Sequence, residues 1–290
     1  IPNLSDCYIT KDGARALARG LPRLARLRAL DLSLNYGLGE AGLLEFAPGL
    51  EPLGSVLTRM DLRRTNCGQR NSWLQHRHPA SGPPDPSDGP GDVLTDALAP
   101  LTALESLDLG KTFIRSAGAA TLAPVLGSLT RMSFLNIGGN NLGATGAAAL
   151  SKLTALLDFD ISFGGVGASG VAALAPALAA MTNLTSLKLH SNRLGNGGAA
   201  ALAPAIVCLD QLRVLSLQDN KIGGGDGWVD YESDEYDMSD EEEDEEDDGG
   251  GGGGGGGVGG GGGGGDYYCM VVWLTLTMMD SRRSRPRWRP

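Results

Sequence analysis

The hydrophobic residues of this chain change their spacing within one short stretch. In "LKLHSNRLGNGGAAALAPAI", residues 187–206, Leu187 and Leu189 lie two positions apart, which is the period of a β-strand. From Gly197 onward the apolar residues recur at the spacing of one helix face. Asn192 lies between the two parts, where a side-chain amide can bond backbone groups that have left the strand ladder. The stretch therefore predicts a strand, a tight turn and a helix.

The strand part of this unit recurs along the chain. The pattern L-x-x-L-x-L-x-x-N starts at residues 27, 57, 104, 132, 156, 184 and 212, and a shortened copy, "LSDCYIT", starts at residue 4. The seven full starts are 30, 47, 28, 24, 28 and 28 residues apart. A period of this size predicts a solenoid, in which each unit needs its neighbours to bury its apolar face. We expect parallel strands at residues 30–32, 60–62, 107–109, 135–137, 159–161, 187–189 and 215–217.

Two irregular spacings refine this prediction. The copy that starts at residue 132 is four residues shorter than its neighbours, so its helix should lose one turn. The 47-residue spacing contains an insertion, about residues 69–92, that is rich in Pro, Gly, Ser and Asp and predicts a disordered surface loop. A proline also recurs inside the predicted helices, at Pro48, Pro124, Pro176 and Pro204.

These repeats resemble the leucine-rich repeat family, in its ribonuclease-inhibitor-like class. The strand motifs carry the resemblance, together with the continuation N-x-L-G-x-x-G-A-x-A-L-A at residues 141–150 and 192–202. The resemblance covers about residues 1–225 and implies an α/β fold, a curved solenoid with a parallel sheet on the concave face and helices on the convex face. It also implies a binding surface for a protein, although this fold is used for unrelated partners.

Charge divides the chain into segments. Residues 1–225 hold 19 basic and 17 acidic residues, whereas residues 226–248 hold 15 acids and no base, so the net charge of −10 arises from this short tail. The tail should be disordered because its charges repel one another, and residues 249–265, almost all glycine, predict a flexible linker. Residues 266–290 do not continue the repeats. They fit either a short membrane-surface or partner-binding element or, as we favour, an artefact of gene prediction.

The residues between the recurring leucines of the pattern should point away from the core. One column reads Asn3, Asp31, Asp61, Asp108, Asn136, Asp160, Lys188 and Ser216, and stacking of parallel strands makes it an acidic ridge. Two and three positions further, the chain places Arg63, Arg64 and Lys111 beside these acids. This face is either a solvated polar surface with internal charge pairs or a docking surface for a protein. The candidate docking residues are Asp31, Asp61, Arg63, Arg64, Asp108, Lys111, Asp160, Phe163 and His190.

Catalytic and metal-binding patterns are weak. His76 and His78 lie in the insertion near Cys67, but a fourth ligand is not evident, so we expect no metal site. The glycine runs are followed by neither Gly-Lys-Ser nor Gly-Lys-Thr, which argues against a phosphate loop. We therefore predict no cofactor, no catalytic residue and no enzymatic activity of its own.

The cysteines suggest a compartment. The four cysteines form no CxxC pair, and we expect Cys7 and Cys208 to be reduced and buried, with Cys208 on a helix. The chain shows no secretory signal. These features predict a cytoplasmic monomer, with a nuclear or perinuclear location as the alternative, that binds neither nucleic acid nor a membrane.

One subfamily suggests an alternative function. Repeats of this class that run directly into an acidic tail resemble the Ran GTPase-activating proteins, and "LSLQDNKIGGGDGWVDYESDEYDMSDEEEDEE" has that order. The resemblance implies stimulation of GTP hydrolysis by a small GTPase without an arginine finger. The chain departs from that family in having fewer repeats and in its early turn, "LRRTNCGQRN", so no catalytic residue is assigned.

The acidic tail also carries a candidate modification site. Ser239 precedes Asp240, Glu241 and Glu242, an arrangement that acid-directed kinases favour. Phosphorylation there would add roughly 1.5–2 negative charges.

Overall fold

The computed structural model describes residues 3–68 and 92–223. All but the last residue of the predicted insertion lies outside this part of the chain. The acidic tail with Ser239, the glycine linker and residues 266–290 also lie outside it.

Seven short parallel strands form one sheet, and each strand pairs with the next strand in the sequence. Because the register never shifts, equivalent residues of successive repeats stand side by side. Asn3 of the shortened first copy joins the sheet through a single bridge to Asp31. The strands are β1 (Ala29–Asp31), β2 (Arg59–Asp61), β3 (Ser106–Asp108), β4 (Phe134–Asn136), β5 (Asp158–Asp160), β6 (Ser186–Lys188) and β7 (Val214–Ser216).

Helices alternate with the strands, and consecutive helices pack against one another on the convex face. Short 3-10 helices at Leu21–Arg23, Glu51–Leu53 and Leu150–Lys152 follow some of them. The α-helices are α1 (Lys11–Ala18), α2 (Gly39–Leu50), α3 (Asp92–Leu98), α4 (Arg115–Ser128), α5 (Gly143–Ala149), α6 (Gly167–Ala180) and α7 (Gly195–Ile206). None of these described helices is long and apolar enough to cross a membrane.

The helical segment of the shortened repeat spans residues 143–152 when its 3-10 turn is included, so it is about one turn shorter than its neighbours, as the sequence predicts. Helix α5 has 7 residues, whereas α4 and α6 each have 14. The 3-10 turn Leu150–Lys152 continues α5, so this repeat still reaches the next strand. The four recurrent prolines lie inside α2, α4, α6 and α7, as predicted.

One continuous hydrophobic core runs between the sheet and the helices. The middle residue of each strand points into it, as Leu107 and Leu187 do with no exposed surface. Each strand begins and ends one residue earlier than the sequence predicted, but the inward and outward faces are as expected. Leu32, just beyond β1, still donates its N–H to the Asp61 carbonyl at 2.9 Å, so the difference is one of boundary only.

Buried asparagines close the turn after most strands. Asn192 donates its amide to the carbonyls of Ile161 and Leu189, both at 3.0 Å, and accepts from the N–H groups of Gly164 and Val166 at 2.9 and 3.2 Å. One side chain therefore joins two repeats, because these partners belong to neighbouring copies. The same network surrounds Asn35, Asn140 and Asn220. The turn bonding predicted for the asparagine is confirmed.

The cysteine prediction was wrong in part. Cys7 and Cys208 are exposed, and Cys208 lies in the turn after α7 rather than on the helix. Cys67 is buried, because it occupies the apolar turn position that Leu194 fills in a later repeat, and burial raises the pKa of its thiol to about 11. All three are free thiols.

Candidate protein-binding surface

The outward face of the sheet carries two grooves that run across the strands. The sheet groove, about 310 Å³, lies over the strands and contains three aspartates and one arginine. The edge groove, about 440 Å³, lies over the turns at the carboxyl ends of the strands and contains Arg63, Arg64, Lys111 and one carboxylate, Asp160. The two grooves thus have opposite charge.

The sheet groove contains the predicted acidic ridge. Its lining residues are Ala29, Leu30, Asp31, Arg59, Met60, Asp61, Ser106, Asp108 and Phe134. In-register pairing aligns Asp31, Asp61 and Asp108 on successive strands, which confirms the predicted column. Beyond Asp108 the ridge is no longer uniformly acidic, since the next positions are Asn136, Asp160 and Lys188, and Asp160 is paired with Lys188.

Arg63 separates the two grooves and neutralises part of the ridge. Its guanidinium donates to Asp61, with Nη2 at 2.7 Å from Oδ2, and its Nε lies 3.3 Å from Oδ2 of Asp108. The hydrogen bonds to Asp61 raise the pKa of Arg63. The sequence left open whether the charges of this face pair with one another or bind a partner. Arg63 pairs internally, with Asp61 and Asp108.

Asp108 lies in a less favourable position for a carboxylate. Burial, and to a lesser degree the charge of Asp61, raises the pKa of Asp108 to about 6. Hydrogen bonds from the Gly110 N–H at 2.9 Å and the Asn136 amide at 3.0 Å oppose this shift. Asp108 consequently changes charge near pH 6, within the sheet groove.

The edge groove is built on residues with left-handed backbone conformation. Leu34, Arg64, Lys111 and Phe163 occupy one equivalent turn position with φ of 62°, 54°, 55° and 52°. Each donates its N–H to a carbonyl of the next repeat, as Arg64 does to Gly110 at 3.0 Å, and this ladder imposes the conformation. Glycine and asparagine suit such a position, and bulky residues are disfavoured there by roughly 1–2 kcal/mol.

Two cations of the edge groove form no ion pair with any described residue. Arg64 donates to the hydroxyl of Tyr36 at 3.2 Å, which is a neutral partner. The side chain of Lys111 extends over Gly139, where a Cβ would lie 2.7 Å from its Cγ. Asp160, by contrast, already has Lys188 at 3.5 Å and the Ser162 hydroxyl at 2.6 Å. The edge groove therefore keeps a net positive charge.

An exposed aromatic side chain stands at one end of the same groove. Phe163 is 54% exposed and meets the His190 ring edge to face, with the ring centroids 5.0 Å apart. His190 is held by the Ser216 hydroxyl, 3.2 Å from its Nδ1. Tyr36, 51% exposed, stands near the other end beside Arg64.

The structure brings the predicted site residues together on one face. Asp31, Asp61 and Asp108 line the sheet groove, and the edge groove is lined by Ser33, Leu34, Arg63, Arg64, Gly110, Lys111, Asn136, Gly138, Gly139, Asp160, Ser162, Phe163 and His190. Sequence reasoning missed Arg59 and Phe134. Both precede the ridge position by two residues, so strand alternation places them on the same face and could have identified them.

Comparison with known proteins gives a family match and a likeness to solved structures. The family described as Leucine Rich repeat matches residues 132–151 and 180–203. Among solved structures, the leucine-rich repeat-containing protein LegL7 from Legionella pneumophila is similar, with 19% sequence identity over 70% of this chain and 69% of that chain and a TM-score of 0.33. No curated protein matches the chain in sequence.

The fold is thus a solenoid of leucine-rich repeats, in which the strands of one parallel sheet alternate with helices, and two of its segments match the family model. Proteins of this architecture generally use the extended face of the sheet to bind other proteins. The ribonuclease-inhibitor-like class and the resemblance to Ran GTPase-activating proteins are finer distinctions and stay predictions.

Proposed function

We propose that this chain is a non-enzymatic protein-binding module whose partner docks on the outward face of the sheet, with Phe163 as an apolar anchor. One observation supports the proposal most directly. Phe163 is a large, exposed aromatic residue in a left-handed conformation that glycine occupies one repeat earlier, at Gly139. Residues kept in an unfavourable conformation cluster at binding sites, and buried aromatic anchors dominate many interfaces.

The charges around this anchor favour a partner with mixed charge. The acidic sheet groove and the basic edge groove lie side by side, so a partner would present cations to Asp31 and Asp108 and anions to Arg64 and Lys111. Such an arrangement directs orientation and speeds association more than it adds affinity. No described residue is proposed to carry out chemistry of its own.

Two substitutions, one on each face of the solenoid, test whether a partner docks on the sheet face. Affinity capture with the full chain should yield binding proteins that Phe163→Gly loses and Leu44→Ala retains, because Leu44 is an exposed residue of α2, 59% exposed, on the opposite face. Both substitutions remove an exposed apolar side chain. Equal recovery with both variants would contradict docking on the sheet face.

GTPase activation is the alternative that the sequence suggests. It would also require a protein docked on the repeats, so binding alone does not separate the two functions. Single-turnover GTP hydrolysis by purified Ran and other small GTPases, measured with and without the full chain, separates them. A rate increase would replace the simple binding function, and an unchanged rate is the expected result.

A further inference from the structure

We propose that the edge groove binds an extended segment of the partner protein in which apolar and acidic residues stand at set positions. The segment presents an apolar residue to Phe163, an acidic residue two positions along to Lys111, and a second acidic residue about four positions further to Arg64. The inference rests on the proposed docking at the outward face of the sheet. It adds the kind of segment that docks there, because the groove sets the order and the spacing of its contacts.

The turn positions of successive repeats set the order of these contacts. The three equivalent positions before Phe163 carry Arg64, Lys111 and Gly139, whereas Asp219 lies two repeats beyond it. Among the described turn positions of this kind, cations thus lie only on one side of Phe163. A segment that rests an apolar residue on Phe163 therefore gains from acidic residues that follow in the direction of β1, and not in the direction of β7.

The side chain of Lys111 extends toward Phe163. Its Cε lies 3.6 Å from the place that a Cβ of Gly139 would take, so its charged end lies over the repeat between the two residues. Gly139 donates its N–H to the Ser162 carbonyl at 2.8 Å, and the strands of these two repeats are about 4.8 Å apart. In an extended chain the nearest residue that faces the same way is two positions on, about 6.6 Å away. That residue should carry the first carboxylate.

The side chain of Arg64 extends in the opposite direction. Its Nη1 lies 3.2 Å from the hydroxyl of Tyr36 in the preceding repeat. The repeats of Tyr36 and Gly139 are three strand spacings apart, which is about 14 Å. Four residues of an extended chain span about 13 Å. An acidic residue four positions after the first therefore faces Arg64, and all three contact residues lie on one face of the segment.

The neighbouring charges favour spaced carboxylates over a dense run of them. The cations of the edge groove, Arg64 and Lys111, have no carboxylate partner among the described residues. The sheet groove alongside holds Asp31, Asp61 and Asp108. These aspartates repel a ligand that is negative along its whole length, whereas two separate carboxylates can each lie against one cation.

Selection of random peptides displayed on phage, with the full chain as bait, tests the spacing. Enriched peptides should share an apolar residue, an acidic residue two positions away and a second acidic residue about four positions beyond it. In a synthetic peptide of this kind, the first acidic residue can exchange places with its neighbour. The exchange keeps the composition and the net charge but turns the carboxylate to the opposite face of an extended chain. It should lower the affinity, measured by fluorescence anisotropy, at least about fivefold.

Charge reversal supplies the matched variants of the chain. Lys111→Glu should weaken binding of the same peptide at least about fivefold, and a peptide with lysine in place of the first acidic residue should regain most of this loss. Lys152→Glu is an equal charge change on an exposed lysine in the 3-10 turn before β5, and it should change the affinity by less than about twofold. Circular dichroism of both variants checks that the fold is retained.

Three results would overturn the proposal. The first is a selection that enriches no peptide, or only peptides without this spacing. The second is equal affinity for the original peptide and the exchanged one. The third is an equal effect of Lys111→Glu and Lys152→Glu. None of these results bears on whether Phe163→Gly and Leu44→Ala differ in the capture experiment, so the two proposals fail separately.

Discussion

At the scale of single residues, the outward face of the sheet carries side chains that the local backbone does not favour. The turn position with positive φ carries glycine in one repeat but Leu34, Arg64, Lys111 and Phe163 in four others. Fold stability alone would favour glycine or asparagine at each of them. The remaining copies carry Asp6, Ser191 and Asp219 at this position, also with positive φ, so every repeat has this conformation. Among these residues, the edge groove is lined by Leu34, Arg64, Lys111, Gly139 and Phe163.

The backbone conformation of Phe163 predicts an unusual order of stabilities. Phe163→Gly should be more stable than Phe163→Ala by about 1 kcal/mol, because alanine keeps the unfavourable left-handed conformation and glycine does not. At an ordinary surface position in a helix the order is reversed by a similar amount. Chemical denaturation of the two variants measures the difference.

Gly127 supplies the control for this order. It lies in helix α4 without positive φ, and a Cβ there would meet no atom within 4 Å. Gly127→Ala should therefore stabilise the chain by about 0.4–1 kcal/mol. If alanine also proved better than glycine at position 163, the left-handed conformation of that residue would be wrong.

Asp108 predicts a pH-dependent stability. Its pKa is raised to about 6, so the native state binds this proton more tightly than the unfolded chain. The resulting stabilisation is complete below about pH 4 and is lost as the pH rises through about 6. The raised pKa corresponds to a change in the free energy of unfolding of at most about 3 kcal/mol. Because Asp108 is in contact with solvent, we expect about 1–2 kcal/mol.

The variant Asp108→Asn removes this titration while keeping an acceptor for the Gly110 N–H. Relative to the parent chain, it should gain stability between pH 4 and pH 8, as measured by urea denaturation at several pH values. A difference between variant and parent that stays constant over this range would show that Asp108 ionises as readily in the native state as in the unfolded chain.

At the scale of elements, the repeat unit could be predicted from the sequence because each of its parts has a local signal. Leucine alternation predicted the strands, and the position of Asn192 predicted its turn bonds. The pairing of Arg63 with both Asp61 and Asp108 could not be predicted, since it depends on a side-chain rotamer and on contacts between strands. Cys7 and Cys208 were predicted to be buried, but Cys7 lies in the turn of the shortened first copy and Cys208 in the turn after α7, and both thiols are exposed.

The buried asparagine should contribute strongly to the joint between repeats. Asn192→Ala leaves the Ile161 carbonyl and the N–H groups of Gly164 and Val166 without this partner, whereas the Leu189 carbonyl keeps the Asn220 amide at 2.8 Å. We expect a loss of unfolding free energy of about 3 kcal/mol, in the upper part of the range for unsatisfied buried groups. Asn192→Thr should lower the free energy of unfolding by less, because a threonine hydroxyl can replace one of the amide bonds. Thr112 occupies the equivalent turn, and its hydroxyl donates to the Leu109 carbonyl at 2.7 Å.

Asn183, exposed in the loop before β6, is the matched control. Asn183→Ala should change the free energy of unfolding by less than about 0.5 kcal/mol. Thermal denaturation of the three variants gives the ranking. Equal losses for the alanine and threonine variants at position 192 would mean that the hydroxyl does not replace any of the amide bonds.

At the scale of the whole molecule, contacts are made between neighbouring repeats, and no single repeat has a closed core. The core is continuous from repeat to repeat, but its burial is not uniform: Leu187 of β6 is fully buried, whereas Leu215 of β7 is only partly buried and Val214 is 49% exposed. In a linear array, stability is approximately the sum of repeat and interface contributions. Repeats with fewer interface contacts should therefore open first.

Amide hydrogen exchange of the full chain should show this gradient directly. Local opening exposes amides with a free energy that depends on nearby packing. The amides of β4, β5 and β6, each flanked by two strands, should exchange slowest. The Val214 N–H in β7 donates to the Thr185 carbonyl at 3.0 Å, as the equivalent Ser186 N–H in β6 does to the Leu157 carbonyl at 3.1 Å. The Val214 N–H should exchange at least about tenfold faster than the Ser186 N–H, which corresponds to about 1.4 kcal/mol. Uniform protection across β4–β7 would instead mean that this part of the array opens as one cooperative unit. Binding at either groove would then raise the amide protection of these repeats equally.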